Sequence, residues 1–124
     1  MIETVRTSAA AREQLITLKR RTGLQHWNEI CRWALCRSLA EPTVPADIDF
    51  SVDDGVEMSW STFAGKQGPT YLALVHNRCA TDGLSSDAAT VARQFRLHLH
   101  RGIGYLVGDP QVKDVQGLLA LVDR

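Results

Sequence analysis

The sequence has 124 residues, of which 44% are hydrophobic and 23% charged, and its formal net charge is zero. This length and composition predict a single domain over residues 1–124 and exclude an intrinsically disordered chain. The sequence contains no apolar run of the roughly 20 residues that a membrane span needs, nor an apolar signal segment, so we expect a cytoplasmic protein with reduced thiols.

Charge is unevenly distributed along the chain, although the total is balanced. Residues 1–40 carry seven basic and three acidic side chains, whereas residues 41–65 carry six acidic side chains and no basic one. Residues 66–101 carry five basic and two acidic side chains. The electric field of such a block acts over roughly 8–10 Å. The blocks can therefore bind a charged partner, or they can attract each other within the fold.

The first predicted elements are a short strand over residues 2–6, with imperfect alternation, and a helix over residues 9–21. Thr7 and Ser8 offer hydroxyl caps for this helix, and Gly23 is a natural C-cap. Apolar residues recur along it at i, i+4 and i+7, and they are Ala11, Leu15 and Leu18.

A second helix is predicted over residues 25–39, and Pro42 and Pro45 follow it as breakers. Trp33 lies beside the apolar face of this helix, where we interpret it as covering the edge of the core, with a subunit contact as the alternative. The face itself consists of Leu24, Trp27, Ile30, Cys31, Ala34, Leu35 and Ser38.

The central region is predicted to form a small antiparallel meander of three strands. Apolar residues alternate with polar ones over residues 48–52 and 56–60, and residues 71–75 form a more buried apolar run. Residues 53–55 and 65–69 have the composition of the two connecting turns.

The C-terminal part is predicted to be helical. A helix over residues 87–101, capped by Ser85 or Ser86, is followed by Gly102 and Gly104, which we expect to interrupt or kink the chain. The apolar stripe of this helix consists of Ala88, Val91, Ala92, Phe95 and Leu99, and the side chains expected away from it are Arg93, Arg96 and Arg101. A last helix is predicted from Asp109 and Pro110, and the residues it should bury are Val112, Val115, Leu118, Leu119 and Val122.

No constellation of catalytic or metal-ligating residues is evident. Cys31 and Cys36 are about 140° apart on a helix, and His98 and His100 lie on nearly opposite faces, so neither pair has zinc-ligand spacing. We therefore expect no metal, no cofactor and no active site. A sulfur-handling enzyme that uses Cys36 or Cys79 is the remaining catalytic alternative.

Basic side chains form the candidate site. Lys19, Arg20 and Arg21 close the first helix beside a glycine turn, and Lys66 is predicted at a hairpin tip between two glycines. Long cations on short rigid projections can contact phosphates without reading bases. The alternative for each of these basic groups is that it is simply the solvent-exposed end of a helix or a hairpin, with no ligand.

The beginning of the chain resembles ribbon-helix-helix proteins. The matching segments are V-R-T-S, then L-I-T-L-K-R-R-T-G-L, and then a helix with W-N-E-I-C-R-W-A-L-C-R-S-L. In those proteins a short strand pairs across a dimer and enters the DNA major groove. The segment around Thr4 and Arg6 departs from this family pattern, because its apolar and polar residues do not alternate as they do in a regular strand. The predicted fold is therefore α+β and mainly helical, with a ribbon-helix-helix-like helix pair, a small meander and C-terminal helices.

A resemblance over nearly the whole chain is to the DndE family of DNA sulfur modification proteins. The residues that carry it are 6–8, 18–23, 27–36, 38–42, 65–66 and 101–106. This resemblance implies a non-catalytic component of a system that replaces a non-bridging phosphate oxygen of DNA with sulfur. The partners it implies are double-stranded DNA, especially nicked duplex, a cysteine desulfurase, an iron–sulfur protein, an ATPase and further copies in a homotetramer.

The DNA-binding residues expected from this resemblance are Lys19, Arg20, Arg21 and Lys66, with Arg6 and Arg12 as weaker candidates. A scaffold that holds the other sulfur modification proteins together is the alternative function. In that case the contacts would be residues 41–65 and Trp33.

Overall fold

A computed structural model describes residues 2–123, and they form a mainly helical α+β fold, as predicted. The elements in chain order are β1 (Thr4–Arg6), α1 (Ala9–Thr22), α2 (Trp27–Leu39), β2 (Glu57–Ser59), α3 (Trp60–Ala64), α4 (Gly68–Thr81), α5 (Ala88–Gly108) and α6 (Val115–Leu119). Short 3₁₀ turns follow α3 and α6. Within residues 2–123, no helix has the length and apolar character that crossing a membrane requires.

Helix α1 begins and ends where its cap residues predict. The Ser8 hydroxyl oxygen accepts a hydrogen bond from the Ala11 amide at 3.1 Å, which satisfies one of the free donors of the first turn. Gly23 adopts a left-handed conformation with φ 76°, and its amide donates to the Lys19 carbonyl. The predicted apolar stripe of the helix is buried and consists of Ala11, Leu15 and Leu18.

Helices α2 and α5 cross at the centre of the core. An ideal Cβ built on Gly102 would lie only 1.7 Å from the Ala34 carbonyl oxygen, so glycine permits this close backbone approach. The predicted interruption at Gly102 and Gly104 is therefore wrong, because α5 continues to Gly108. Helix propensity disfavours glycine by roughly 1 kcal/mol, and the tight α2–α5 packing outweighs that preference here.

The start of α5 also differs in detail from the prediction. Asp87, rather than Ser85 or Ser86, is the N-cap, and its carboxylate accepts from the Thr90 amide at 2.8 Å. Val91, Phe95 and Leu99 of the predicted stripe are buried, as expected from their helical spacing. Ala88 at the first position is exposed.

The sheet has two antiparallel strands that come from distant parts of the chain. Val5 of β1 lies opposite Met58 of β2, and the Thr7 amide extends the pairing by donating to the Val56 carbonyl at 2.9 Å. Val5 is buried, so β1 contributes its single inward side chain to the core. The predicted N-terminal strand and the middle strand of the meander are thus partners of each other.

The remainder of the predicted meander is wrong. Residues 48–52 have no regular secondary structure, and residues 71–75 lie within α4. A short apolar run fits a buried helix as well as a strand, and Pro69 in the first helical turn starts α4. Val75 and Cys79, four residues apart, then bury one face of that helix.

The end of the chain buries less than predicted. Asp109 caps the end of α5, and the last helix begins only after Asp114, whose carboxylate accepts from the Gly117 amide. Val112 and Leu118 are buried. The prediction that Val115, Leu119 and Val122 are buried is wrong. The five-residue helix α6 turns only one narrow face to the core, and Val122 lies in the 3₁₀ turn that follows it.

Candidate nucleic-acid interface

The three basic side chains at the end of α1, Lys19, Arg20 and Arg21, point in different directions. Lys19 is half-buried, with its Nζ atom 4.2 Å from the centre of the Trp27 ring. Arg20 is exposed, whereas Arg21 donates from Nη1 to the Val107 carbonyl at 2.9 Å. Successive helical residues are about 100° apart, so Arg21 faces the end of α5 while Lys19 faces the start of α2.

Arg12 lies on the same side of α1 as Lys19. The two residues are seven positions apart, which places them within about 20° of each other and roughly 10 Å apart along the helix axis. Arg12 is exposed. The two side chains therefore form a basic row along α1.

Lys66 lies on a different element from the basic end of α1. It lies in the 3₁₀ turn Gly65–Gln67 directly after α3, so the predicted hairpin tip is wrong, although the side chain is exposed as expected. Helix α3 is tied to α2 because Asn28 donates to the Thr62 carbonyl at 2.9 Å and Arg32 donates to the Phe63 carbonyl at 2.8 Å. Lys19 thus contacts the first residue of α2, and Lys66 follows an element that is hydrogen bonded to the first two turns of α2.

Arg6 belongs to a different part of the surface. Its Nε atom donates to Glu57 Oε1 at 2.7 Å across the two-stranded sheet, and both side chains are more than half exposed. An exposed ion pair contributes only about 0–1 kcal/mol and is screened by salt. Arg6 can therefore exchange this carboxylate for another anion.

Two arginines outside the predicted set of DNA-binding residues also lie on the surface. Arg93 of α5 donates from Nε to Asp47 at 2.9 Å and from Nη1 to Asp49 at 3.0 Å, while Arg96 is exposed. The sequence feature that could have indicated these two arginines is the set of oppositely charged blocks along the chain. Their predicted attraction within the fold is confirmed at Arg93 and Arg6.

Arg78 and Arg101 have a structural role. Both converge on the carboxyl end of α2, where Arg78 donates to the Leu39 carbonyl and Arg101 to the Ser38 carbonyl, each at 2.9 Å. Both also donate to the Thr43 carbonyl, at 2.7 and 2.8 Å. The last carbonyls of a helix carry partial negative charge, so these cations stabilise the helix end and the chain that leaves it.

A buried histidine lies against the same helix end. Arg101 Nε donates to Ser38 Oγ, and Ser38 Oγ is in turn hydrogen bonded to His98 Nδ1, with both distances 2.8 Å. His98 Nε2 has no hydrogen-bond partner among the described residues. Burial, together with the positive charges of Arg101 and Arg78, lowers the pKa of His98 to about 4.

The three thiols are poorly suited to nucleophilic chemistry. Burial raises the pKa of Cys31 to about 12 and also raises the pKa values of Cys36 and Cys79. A thiol with a raised pKa stays protonated at neutral pH, and the thiolate is the reactive form. Over residues 2–123, no group of three or more histidine, cysteine or carboxylate side chains is arranged to hold a metal ion.

One protein family matches most of the chain. A family model described as DNA sulphur modification protein DndE matches residues 4–114 of the 124 residues, which include every element from β1 to α5. No curated protein sequence matches the chain. The matched region contains all six candidate DNA-binding residues, which are Arg6, Arg12, Lys19, Arg20, Arg21 and Lys66. The chain therefore belongs to the DndE family and has a role in DNA sulfur modification.

Proposed function

We propose that this protein is a non-catalytic DNA-binding component of its sulfur modification system and that it contacts the phosphate backbone. The observation that carries the proposal is the set of cations on α1 and in the turn that follows α3. Arg12, Arg20 and Lys66 are exposed, and over residues 2–123 they form no ion pair with a carboxylate. Lys19 contacts a tryptophan ring rather than an acid. These positive charges remain available to an external polyanion.

The mechanism that we propose is neutralisation of phosphates with release of counterions. Each phosphate contact steepens the dependence of log affinity on log salt by about 0.9 for duplex DNA. A nick lets the duplex bend at low cost, which would favour nicked over intact DNA on a compact basic surface. Assembly as a homotetramer would multiply the cation set fourfold, and the other sulfur modification proteins would act on the DNA that it holds.

Neutralising three of these cations should weaken DNA binding in a salt-dependent way. In the triple variant Lys19→Gln, Arg20→Gln and Lys66→Gln, we expect the slope of log affinity against log salt to fall by about 2–3, because up to three phosphate contacts are lost. Fluorescence anisotropy with intact and nicked duplexes across a salt series measures this slope. The ratio of the two affinities also reports whether a nick is preferred.

The matched control keeps every charge while changing each side chain. Lys19→Arg, Arg20→Lys and Lys66→Arg should retain most of the affinity, because backbone contacts depend mainly on charge. Circular dichroism and urea unfolding establish that both variants fold. A folded neutralised variant with an unchanged salt slope would contradict the proposed residues, and no binding by the original protein at low salt would contradict the function.

The scaffold function remains the second candidate, and the surface around Trp33 favours it. This half-buried side chain lies between two grooves, one beside Arg32 and Tyr71 and the other beside Arg37 and Val122. Tryptophan and arginine are enriched at protein interfaces. Retention of the other sulfur modification proteins after nuclease treatment, and its loss in Trp33→Ala, would favour scaffolding over DNA contact.

We expect the cysteines to be dispensable for DNA sulfur modification. Cys36→Ser and Cys79→Ala should leave the sulfur content of cellular DNA unchanged, because raised pKa values keep both thiols protonated. Mass spectrometry of digested DNA from complemented cells measures that content. Its loss in a variant that still folds and accumulates would instead support sulfur relay.

A further inference from the structure

A second basic surface lies on β1 and α5. It consists of Arg6, Arg93 and Arg96, and we refer to it as the α5 basic surface. Arg93 and Arg96 are three residues apart, so their side chains are neighbours on the helix. Arg6 and Arg96 line the same small surface pocket, with Val5 and Phe95 at its base. Arg96 therefore neighbours Arg6 at this pocket and Arg93 along α5.

Carboxylates from one stretch of chain occupy two of these arginines. The acidic segment, residues 46–57, contains five acidic side chains and no basic one. Its Asp47 and Asp49 both accept hydrogen bonds from Arg93, and its Glu57 accepts from Arg6. Arg93 thus binds two anionic groups along its guanidinium fork, which is the arrangement by which arginine binds phosphate oxygens.

The contacts to Arg93 are exposed. The side chains of Asp47 and Asp49 are 81% and 94% exposed, and that of Arg93 is 37% exposed. Pairs of this kind are weak and are screened by salt. A ligand with denser negative charge can therefore displace them.

The acidic segment has other attachments that do not involve Arg93. The Phe50 ring stacks on His100 with a centroid distance of 4.0 Å, and the Val56 amide donates to Thr7 Oγ1 at 2.9 Å. Gly55 packs directly against the Thr7 carbonyl, where an added Cβ would lie 1.7 Å from the oxygen. Ile48, between the two aspartates, is exposed. The two carboxylates can therefore leave Arg93 while the segment stays docked.

We propose that the α5 basic surface is a second contact for the DNA phosphate backbone and that the acidic segment occupies it when DNA is absent. This inference rests on the proposed DNA-binding function. Duplex DNA carries one negative charge per roughly 1.7 Å of its axis, far denser than two exposed aspartates. DNA then displaces Asp47 and Asp49 from Arg93, and the net affinity reflects this competition.

Two charge-matched double variants test the proposal. Asp47→Asn with Asp49→Asn frees Arg93, whereas Asp53→Asn with Asp54→Asn removes the same charge from the same segment without touching Arg93. Asp54 has a φ of 62°, a conformation that asparagine also tolerates. Anisotropy titrations of duplex DNA across a salt series compare the two variants with the original protein, and thermal unfolding verifies that each is folded.

We expect the variant with free Arg93 to bind duplex DNA about two- to fivefold more tightly than the charge-matched control at low salt, since the exposed contacts no longer compete. Its slope of log affinity against log salt should be steeper by about 1, because one more phosphate is neutralised. Adding Arg93→Gln to this variant should remove both gains.

The possible outcomes separate this inference from the proposed function. Equal affinity and slope for the two double variants, with the original protein still binding DNA, would overturn the second contact and leave the DNA-binding function standing. Binding by the Asp47/Asp49 variant alone would support occupation of the surface by the acidic segment. No DNA binding by any of the proteins would overturn both proposals.

Discussion

Replacing Gly102 by alanine is expected to destabilise the protein by more than about 4 kcal/mol, or to prevent its folding. The added Cβ would lie 1.7 Å from the Ala34 carbonyl oxygen and 2.4 Å from its carbonyl carbon. Both are backbone atoms of α2, so no side-chain rotation relieves the overlap. Helices α2 and α5 would have to separate along the centre of the core.

Gly104→Ala in the same helix is the matched control. No neighbouring atom lies within 4 Å of a Cβ at this position, so alanine should stabilise the protein by about 0.5–1 kcal/mol through its higher helix propensity. Urea unfolding followed by circular dichroism measures both variants. A Gly102→Ala protein whose free energy of unfolding lies within 1 kcal/mol of the original would refute the close α2–α5 approach.

Acidification is expected to remove about 3 kcal/mol of stability between pH 6.5 and pH 4 through His98. The folded protein lowers the pKa of this buried side chain from 6.5 to about 4. Above pH 6.5 the imidazole is neutral in both states, and its contribution to stability is complete. As the pH falls, the unfolded chain binds a proton that the folded protein excludes, so the free energy of unfolding decreases until about pH 4.

Comparison with His98→Gln isolates this effect. Glutamine can form a hydrogen bond with Ser38 in either direction yet carries no charge at any pH, so the decline assigned to His98 should disappear, whatever the stability of the variant at pH 7. Burial also lowers the pKa of His100, which adds a loss in the same direction that the variant retains. Identical pH dependence in the two proteins would mean that His98 does not titrate as the structure indicates.

Elements whose signals lie within a few neighbouring residues could be predicted from the sequence. Helix α1 follows from its Ser8 cap, its apolar stripe and Gly23, all of which act within one or two turns. The prediction of a strand within α4 is wrong because residues 71–75 form a short apolar run whose period fits a strand and a helix equally well. The prediction that the helix is interrupted at Gly102 is wrong because the partner of this glycine, Ala34, is distant in sequence and becomes a neighbour only through folding.

The candidate site likewise has a part that the sequence predicts and a part that depends on tertiary contacts. The cluster at the end of α1 is continuous in sequence and could be predicted, whereas the contact between Lys19 and Trp27 depends on how α1 meets α2. The pairing of Arg93 with Asp47 joins residues 46 positions apart. The charge blocks predicted such an attraction, but they do not specify which arginine receives which carboxylate.

The two-stranded sheet has a consequence for synthesis of the protein. Strand β1 is made more than fifty residues before its partner β2, and ribosomes add about 5–20 residues per second, so β1 remains unpaired for roughly 3–10 s. Helix α1, whose caps are local, can form during that interval. During this interval Val5, which is buried in the folded protein, lacks the strand partner that Met58 provides.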